Sequence, residues 1–141
     1  MANRMNAAGR SGKTSFAGIP RAVMQQDKYR SLSAHARMLL FELAYDYRGH
    51  NNGDLQAAWS LMKKRGFRSP GTLWNAKEEL LKAGFIIETR HGGLNSCSLY
   101  ALTWSPIDEC RHPSTGALKF DAGIKPGPAP MSWKDAAHAA G

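Results

Sequence analysis

The stretch KKRGFRSPGTLWNAKEELLKAGFI, residues 63–86, constrains this chain more than any other feature, because one helix must end and another begin within a few residues. Gly66 predicts the end of the first helix, since glycine readily adopts the left-handed conformation of a C-terminal cap. Ser69 and Pro70 predict the start of the helix after the turn, because a serine hydroxyl caps free amides and proline suits the first helical position. The pattern indicates two helices around a tight, basic turn.

Further elements are predicted on both sides of this turn. Residues 31–49 predict a helix that Ser33 caps and Gly49 ends, with apolar residues at spacings of three and four. A second helix is predicted over 55–66 and a third over 70–83, closed by Gly84. The third helix has one apolar side, formed by Leu73, Ala76, Leu80 and Ala83.

The β-rich runs 85–90 and 98–104 predict a hairpin, because the segment between them contains Gly92, Gly93 and Asn95. The order is therefore helix, helix, tight turn, helix, strand, loop, strand. This predicts a mainly α fold with a small antiparallel β hairpin (α+β), namely a winged helix-turn-helix.

Three regions are predicted along the chain. Residues 1–15 are polar and basic and predict a flexible arm. The winged helix domain is expected over 16–105, with a brief strand or turn at 16–24 around Pro20. Residues 106–141 are rich in proline, glycine and alanine, and we expect this tail to lose order.

The charge of the chain favours a polyanionic partner, since its formal net charge is +8. Residues 1–30 carry six basic and one acidic side chain, and residues 57–97 carry seven and three. No apolar run is long enough for a membrane span, and the amino-terminal residues are too polar for a signal peptide. Two cysteines are too few for a disulfide scaffold, so we expect a cytoplasmic protein without a membrane partner.

The turn and the third helix supply most of the candidate DNA contacts. Basic side chains flanking the turn are expected to bind the phosphate backbone: Lys63, Lys64, Arg65 and Arg68. The first turns of the helix are expected to approach the major groove, where free amides bind phosphate and Asn75 pairs with an adenine edge. The candidates there are Ser69, Gly71, Thr72 and Asn75, and those on the 90–97 wing are Arg90, His91 and Asn95.

Other residues of the third helix limit how it binds. Glu78 and Glu79 would repel phosphates, so its C-terminal half is expected to stay outside the groove. For Trp74, packing against the wing or a dimer partner is favoured over contact with a base.

The segments FAGIP, LSAHARMLLFELAYDYRGHNNGDL and WSLMKKRGFRSPGTLWNAKEELLKAGFIIETRHGG carry a resemblance over about residues 16–105. They resemble the winged helix domains of phage and plasmid replication-initiation proteins, such as the N-terminal domain of phage replication protein O, and of small prophage regulators. The resemblance implies binding to double-stranded DNA, often as a homodimer, through 69–75 and 90–95. We expect no sizeable second domain for helicase recruitment, which favours a replication accessory protein or a transcriptional regulator.

Several tempting motifs do not support catalysis, a metal or a cofactor. AAGRSGKTS, residues 7–15, has Ala7 where a phosphate-binding loop requires glycine. The arginines and lysine of this arm fit contacts along phosphates or in a minor groove better. A zinc site lacks close cysteine pairs, since its candidates are spread along the chain: His91, Cys97, Cys110 and His112. The adjacent carboxylates Asp108 and Glu109 suggest no acid–base pair, so no enzymatic activity is expected.

Two alternatives to duplex binding remain open from the sequence. The first is a protein-interaction module of the same fold, such as a phage-encoded inhibitor of a host complex, anchored by Trp74 and Trp133. The second is RNA binding through Tyr100 and Trp104, although these residues are more simply explained as part of the core.

Overall fold

The order predicted over residues 31–104 is observed with several changes of boundary, and two short helices that were not predicted precede it. A computed structural model describes residues 14–134. The helices are α1 (Arg21–Met24), α2 (Asp27–Arg30), α3 (Ala34–Asp46), α4 (Trp59–Met62), a 3-10 turn (Lys63–Arg65) and α5 (Pro70–Ala83). The strands β1 (Ile86–Arg90) and β2 (Leu99–Leu102) form one antiparallel pair. The predicted α+β class is confirmed. The predicted arm lies outside the described residues except for Thr14 and Ser15.

Helix α3 begins as predicted, because the Ser33 hydroxyl accepts a hydrogen bond from the Ala36 amide at 3.1 Å. Its end was predicted wrongly, since the helix stops at Asp46 and Gly49 lies in the following turn. The side chain of Asn51 explains the early end. Its Nδ2 donates to the Asp46 carbonyl at 2.9 Å, and its Oδ1 accepts from the Arg48 amide at 2.6 Å, which draws the chain out of the helix.

The prediction of a helix over 55–66 is wrong for its first part. Leu55 is buried and exchanges backbone hydrogen bonds with Tyr100, with N···O distances of 3.2 and 2.7 Å. This isolated antiparallel pairing keeps the chain extended, so α4 starts only at Trp59. Gly66 ends the following 3-10 turn at φ +114°, which confirms its predicted role.

Helix α5 is confirmed at both ends. The Ser69 hydroxyl accepts from the Thr72 amide at 3.1 Å, Pro70 opens the helix, and Gly84 follows it at φ +83°. Leu73, Ala76 and Leu80 are buried in the core that α3 also lines. Burial of this face fixes the opposite side of α5 towards the surface.

The hairpin after α5 is confirmed with slightly shorter strands than predicted. Ile86 lies opposite Leu102, and the register shifts between Glu88 and Arg90. Thr89 is buried in this irregular stretch, where its hydroxyl donates to the Gly53 carbonyl at 2.6 Å. The hairpin is thus attached to the turn that follows α3.

Residues 16–24 were expected as a brief strand or turn, and this is wrong for their second half. The Pro20 carbonyl accepts from the amides of Val23 and Met24, so the chain forms α1 instead. Val23 is fully buried, which fixes this helical turn on the core.

The expected loss of order after Pro106 is wrong for residues 106–134. Ile107 exchanges two backbone hydrogen bonds with Gly127, and Trp133 belongs to the hydrophobic core. The buried Asn52 holds the start of this segment. Its Nδ2 donates to the carbonyls of Leu102, Ser105 and Pro106, and its Oδ1 accepts from the Leu102 amide at 2.8 Å. These long-range bonds order a segment that has few large apolar residues.

Candidate nucleic-acid interface

The amino end of α5 has an exposed outer side. Pro70, Gly71 and Asn75 are exposed, whereas Ser69 and Thr72 are half-buried. The hydroxyls of Ser69 and Thr72 lie 2.8 Å apart and bond to each other. Ser69 therefore shapes the first turn, and Asn75, in the second turn of α5, has an exposed side chain.

Gly71 has no evident role inside the domain. Its φ is not in the left-handed region, and an added Cβ would meet nothing within 4 Å. Glycine destabilises a helix by roughly 0.5–1 kcal/mol relative to alanine. Gly71 therefore weakens the helix without relieving strain or crowding. Its presence is explained if a partner molecule approaches the backbone of this turn closely.

The basic residues at the turn divide into two groups. Lys63, Lys64 and Arg68 are exposed, and among residues 14–134 no carboxylate lies within salt-bridge distance of them. Their charge is therefore available to a phosphate backbone.

Arg65 behaves differently from its neighbours. Its guanidinium binds both carboxylate oxygens of Asp46, at 2.9 and 3.0 Å, and Glu42 at 3.3 Å. The hydrogen bond with Asp46 is the main cause that raises the pKa of Arg65. We therefore assign Arg65 to the attachment of the turn to α3, and not to phosphate binding as its sequence position suggested.

Residues 90–97, the predicted wing, form a braced loop. The guanidinium of Arg90 donates to the Cys97 carbonyl from Nε at 3.2 Å and from Nη2 at 2.7 Å, so this side chain spans the base of the loop. The His91 amide donates to Asp121 at 2.7 Å, which attaches the wing to the C-terminal segment. His91 and Asn95 have exposed side chains and remain candidates for contact, whereas Arg90 holds the loop.

Leu94, at the tip of the 90–97 loop, was not among the contact residues predicted from the sequence. Gly93 and Ser96 are bonded through a 3.0 Å N–H···O contact, so Leu94 and Asn95 form the turn between them. The Leu94 side chain is 98% exposed. The glycines and asparagine of this loop indicated a turn, but no sequence signal indicates that an apolar side chain at its tip remains uncovered.

Trp74 and the acidic residues of α5 determine what can approach beyond the first turn. Trp74 is 56% exposed, and within the chain its ring has the Lys77 ammonium 5.6 Å from the centroid. Glu79 accepts from the Ser33 amide at 3.0 Å and from its hydroxyl at 2.6 Å, which joins α5 to the start of α3. Glu78 stays exposed and leaves negative charge on the C-terminal half.

Among residues 14–134, no group of three or more histidine, cysteine or carboxylate side chains could hold a metal ion. Cys110 is buried, and this burial raises the pKa of its thiol to about 11. Most of the loop-like stretch 7–15 lies outside the described residues. No helix of the described part of the chain has the length and hydropathy needed to cross a bilayer.

Comparison with family models, curated proteins and solved structures finds no match for this chain.

Proposed function

We propose that this chain binds double-stranded DNA with the amino end of α5 in the major groove. The observation that carries this proposal is the group of free, exposed cations, Lys63, Lys64 and Arg68, beside the exposed amino end of α5. A helix in this position is suited to contact base edges with its first turns, while neighbouring cations bind phosphates.

The finer fold, a winged helix-turn-helix, is part of the same proposal. It is supported by the order α3, α4, α5, β1, β2 and by the short turn between α4 and α5. The resemblance to phage and plasmid replication-initiation domains supports it as well. In this arrangement the 90–97 wing lies beside the helix and contacts an adjacent groove or phosphate.

Each group has a separate task in this mode of binding. Lys63, Lys64 and Arg68 bind the phosphate backbone without regard to sequence. Asn75 pairs with an adenine edge and selects one base. Glu78 repels phosphates and limits how far the helix enters. The biological role we propose is a replication accessory protein or a transcriptional regulator of a phage or mobile element, acting in the cytoplasm without catalysis.

The experiment is a fluorescence anisotropy titration of labelled duplexes over a series of salt concentrations. We expect the double variant Lys63→Ala, Lys64→Ala to lose affinity for all sequences alike. The slope of log K against log salt should become shallower by about 0.9 for each phosphate contact removed. Lys125→Ala is the matched control, because Lys125 is an exposed lysine on the C-terminal segment.

Sequence preference is tested with a duplex selected from a random library. Asn75→Ala should weaken binding of that duplex by about 1–3 kcal/mol and relax the sequence preference at one base pair. The slope of log K against log salt should stay unchanged. If the wild-type protein binds no duplex at low salt, the proposed function is wrong.

A further inference from the structure

A second surface with the chemistry of a binding site lies at the C-terminal end of α3. A concavity of about 500 Å³ is lined there by Phe16, Tyr45, Tyr47 and Arg48, together with Ser15, Ala17 and Gly49. We call this concavity the aromatic cleft. It joins residues about thirty positions apart in sequence, and none of them belongs to the proposed duplex-binding site.

The aromatic rings of this region are unusually exposed. Among residues 14–134, five large hydrophobic side chains are exposed, and three of them lie here: Phe16 at 92%, Tyr45 at 55% and Phe41 at 42%. Phe41 does not line the aromatic cleft itself. It lines a neighbouring concavity that shares Ala17 and Tyr45 with the cleft and also contains Glu42 and Arg65. Single exposed apolar residues are normal on a surface, but a cluster of exposed rings marks an interaction site.

The charge of the aromatic cleft determines the kind of partner. Arg48 is exposed, and its guanidinium lies 5.7 Å from the Tyr45 ring centroid. No carboxylate lines the cleft, and Arg48 has no salt bridge within residues 14–134. The Arg65 guanidinium lies 5.4 Å from the same Tyr45 centroid, so two cations adjoin this exposed ring. Exposed rings beside a free guanidinium suit a flat, apolar group that carries a nearby negative charge.

We propose that the aromatic cleft binds single-stranded nucleic acid, with a base stacked on Tyr45 or Phe16 and a phosphate on Arg48. Single-strand binding surfaces combine these two elements, because every base has a stacking face and every nucleotide carries a phosphate. A duplex does not fit this cleft, since its bases are stacked on each other and expose only their edges. An apolar protein partner would use the rings but would leave the free cation without a counter-charge.

The proposal is tested by anisotropy with a labelled ten-residue thymidine oligonucleotide, and with the corresponding uridine oligonucleotide to compare DNA with RNA. Tyr45→Ala should lower the affinity about tenfold, which corresponds to the loss of one base stack. Tyr45→Phe is the matched control, because it keeps the ring and should bind like the wild type. Arg48→Ala should weaken binding and reduce its salt dependence, and Arg48→Lys should restore much of both.

Three results would overturn the proposal. The first is that the wild-type protein does not bind the oligonucleotide at low salt. The second is that Tyr45→Ala, shown to be folded by circular dichroism, binds it as tightly as the wild type does. The third is that Lys63→Ala, Lys64→Ala abolishes binding while Tyr45→Ala does not, because the strand would then occupy the duplex site.

Sedimentation and duplex titrations separate the remaining explanations. One possible outcome is that the wild-type protein sediments as a dimer that Tyr45→Ala dissociates. If that protein also has no affinity for the oligonucleotide, the cleft is a contact between two copies and the proposal is refuted. Duplex binding should stay unchanged in Tyr45→Phe, which keeps the ring against which the Arg65 guanidinium lies. Oligonucleotide binding without any duplex binding would support the cleft and reject only the proposed function.

Discussion

Replacing Gly71 by alanine should change stability and DNA binding in opposite directions. Gly71 lies in the first turn of α5, its φ is not left-handed, and a Cβ would meet nothing within 4 Å. The added methyl group therefore brings no clash and removes part of the entropic cost of ordering glycine. We expect the free energy of unfolding to rise by about 0.5 kcal/mol, near the lower end of the range for helix interiors.

The same methyl group should weaken duplex binding. It would project from the side of α5 proposed to face the groove and keep the backbone amides of the first turn away from a phosphate. A hydrogen bond to a charged group contributes about 1.5–3 kcal/mol. If one such bond is lengthened or lost, we expect the affinity to fall roughly tenfold, since 1.4 kcal/mol corresponds to that factor.

Both effects are measured on the same preparation. Urea unfolding followed by tryptophan fluorescence gives stability, and anisotropy with a selected duplex gives affinity. Gly18→Ala is the control, because Gly18 also lies in open space without a left-handed φ but far along the chain from α5. A Gly71→Ala protein that is more stable and binds the duplex as tightly as the wild type would refute the idea that this glycine admits DNA.

Three further predictions concern the domain itself. Asn52→Ala should lower the free energy of unfolding by about 3 kcal/mol, because two buried and two partly buried hydrogen bonds of its side chain are lost; urea unfolding measures this, with exposed Asn95→Ala as a near-neutral control. Gly84→Ala should lower the melting temperature more than Gly49→Ala, since both have positive φ but only at Gly84 would a Cβ lie 2.6 Å from a backbone oxygen, that of Ser132. Burial raises the pKa of Cys110 from 9.0 to about 11, so the folded state favours the thiol and its contribution to stability is lost as pH rises from about 9 to about 11. Between about pH 9 and pH 11, the free energy of unfolding should fall less steeply with pH in Cys110→Ala than in the wild type. Equal slopes in the two proteins would contradict the raised pKa of Cys110.

The parts of the fold that sequence predicts well depend on local chemistry. Ser69, Pro70 and Gly84 define α5 because the groups they cap lie within four residues along the chain. The predicted helix is wrong over 55–58 because the decisive interaction there is distant in sequence. Leu55 fits a helical pattern, but its backbone pairs with Tyr100, and nothing near Leu55 in sequence reveals that partner.

The same limit applies to the site. Lys63, Lys64 and Arg65 are equivalent in sequence, yet only Arg65 meets carboxylates, which α3 supplies from about twenty residues away. The aromatic cleft requires Phe16 to lie beside Tyr45, a proximity that helical periodicity does not predict. The composition of residues 106–134 also led to a wrong prediction, that this segment loses order. Asn52 and the buried Trp133 order it, although it is poor in large aliphatic side chains.

The division of the basic turn explains how so much like charge is tolerated at one short corner. Three consecutive cations in a 3-10 turn repel each other, which weakens the turn that must support α5. Asp46 and Glu42 neutralise Arg65 and attach it to α3, so part of this repulsion is removed where the chain bends. Lys63 and Lys64 then remain exposed beside Arg68 and α5, where a polyanion can reach them. Removing Asp46 should therefore loosen the turn and disorder the very cations proposed to bind DNA, even though it makes the protein more positive.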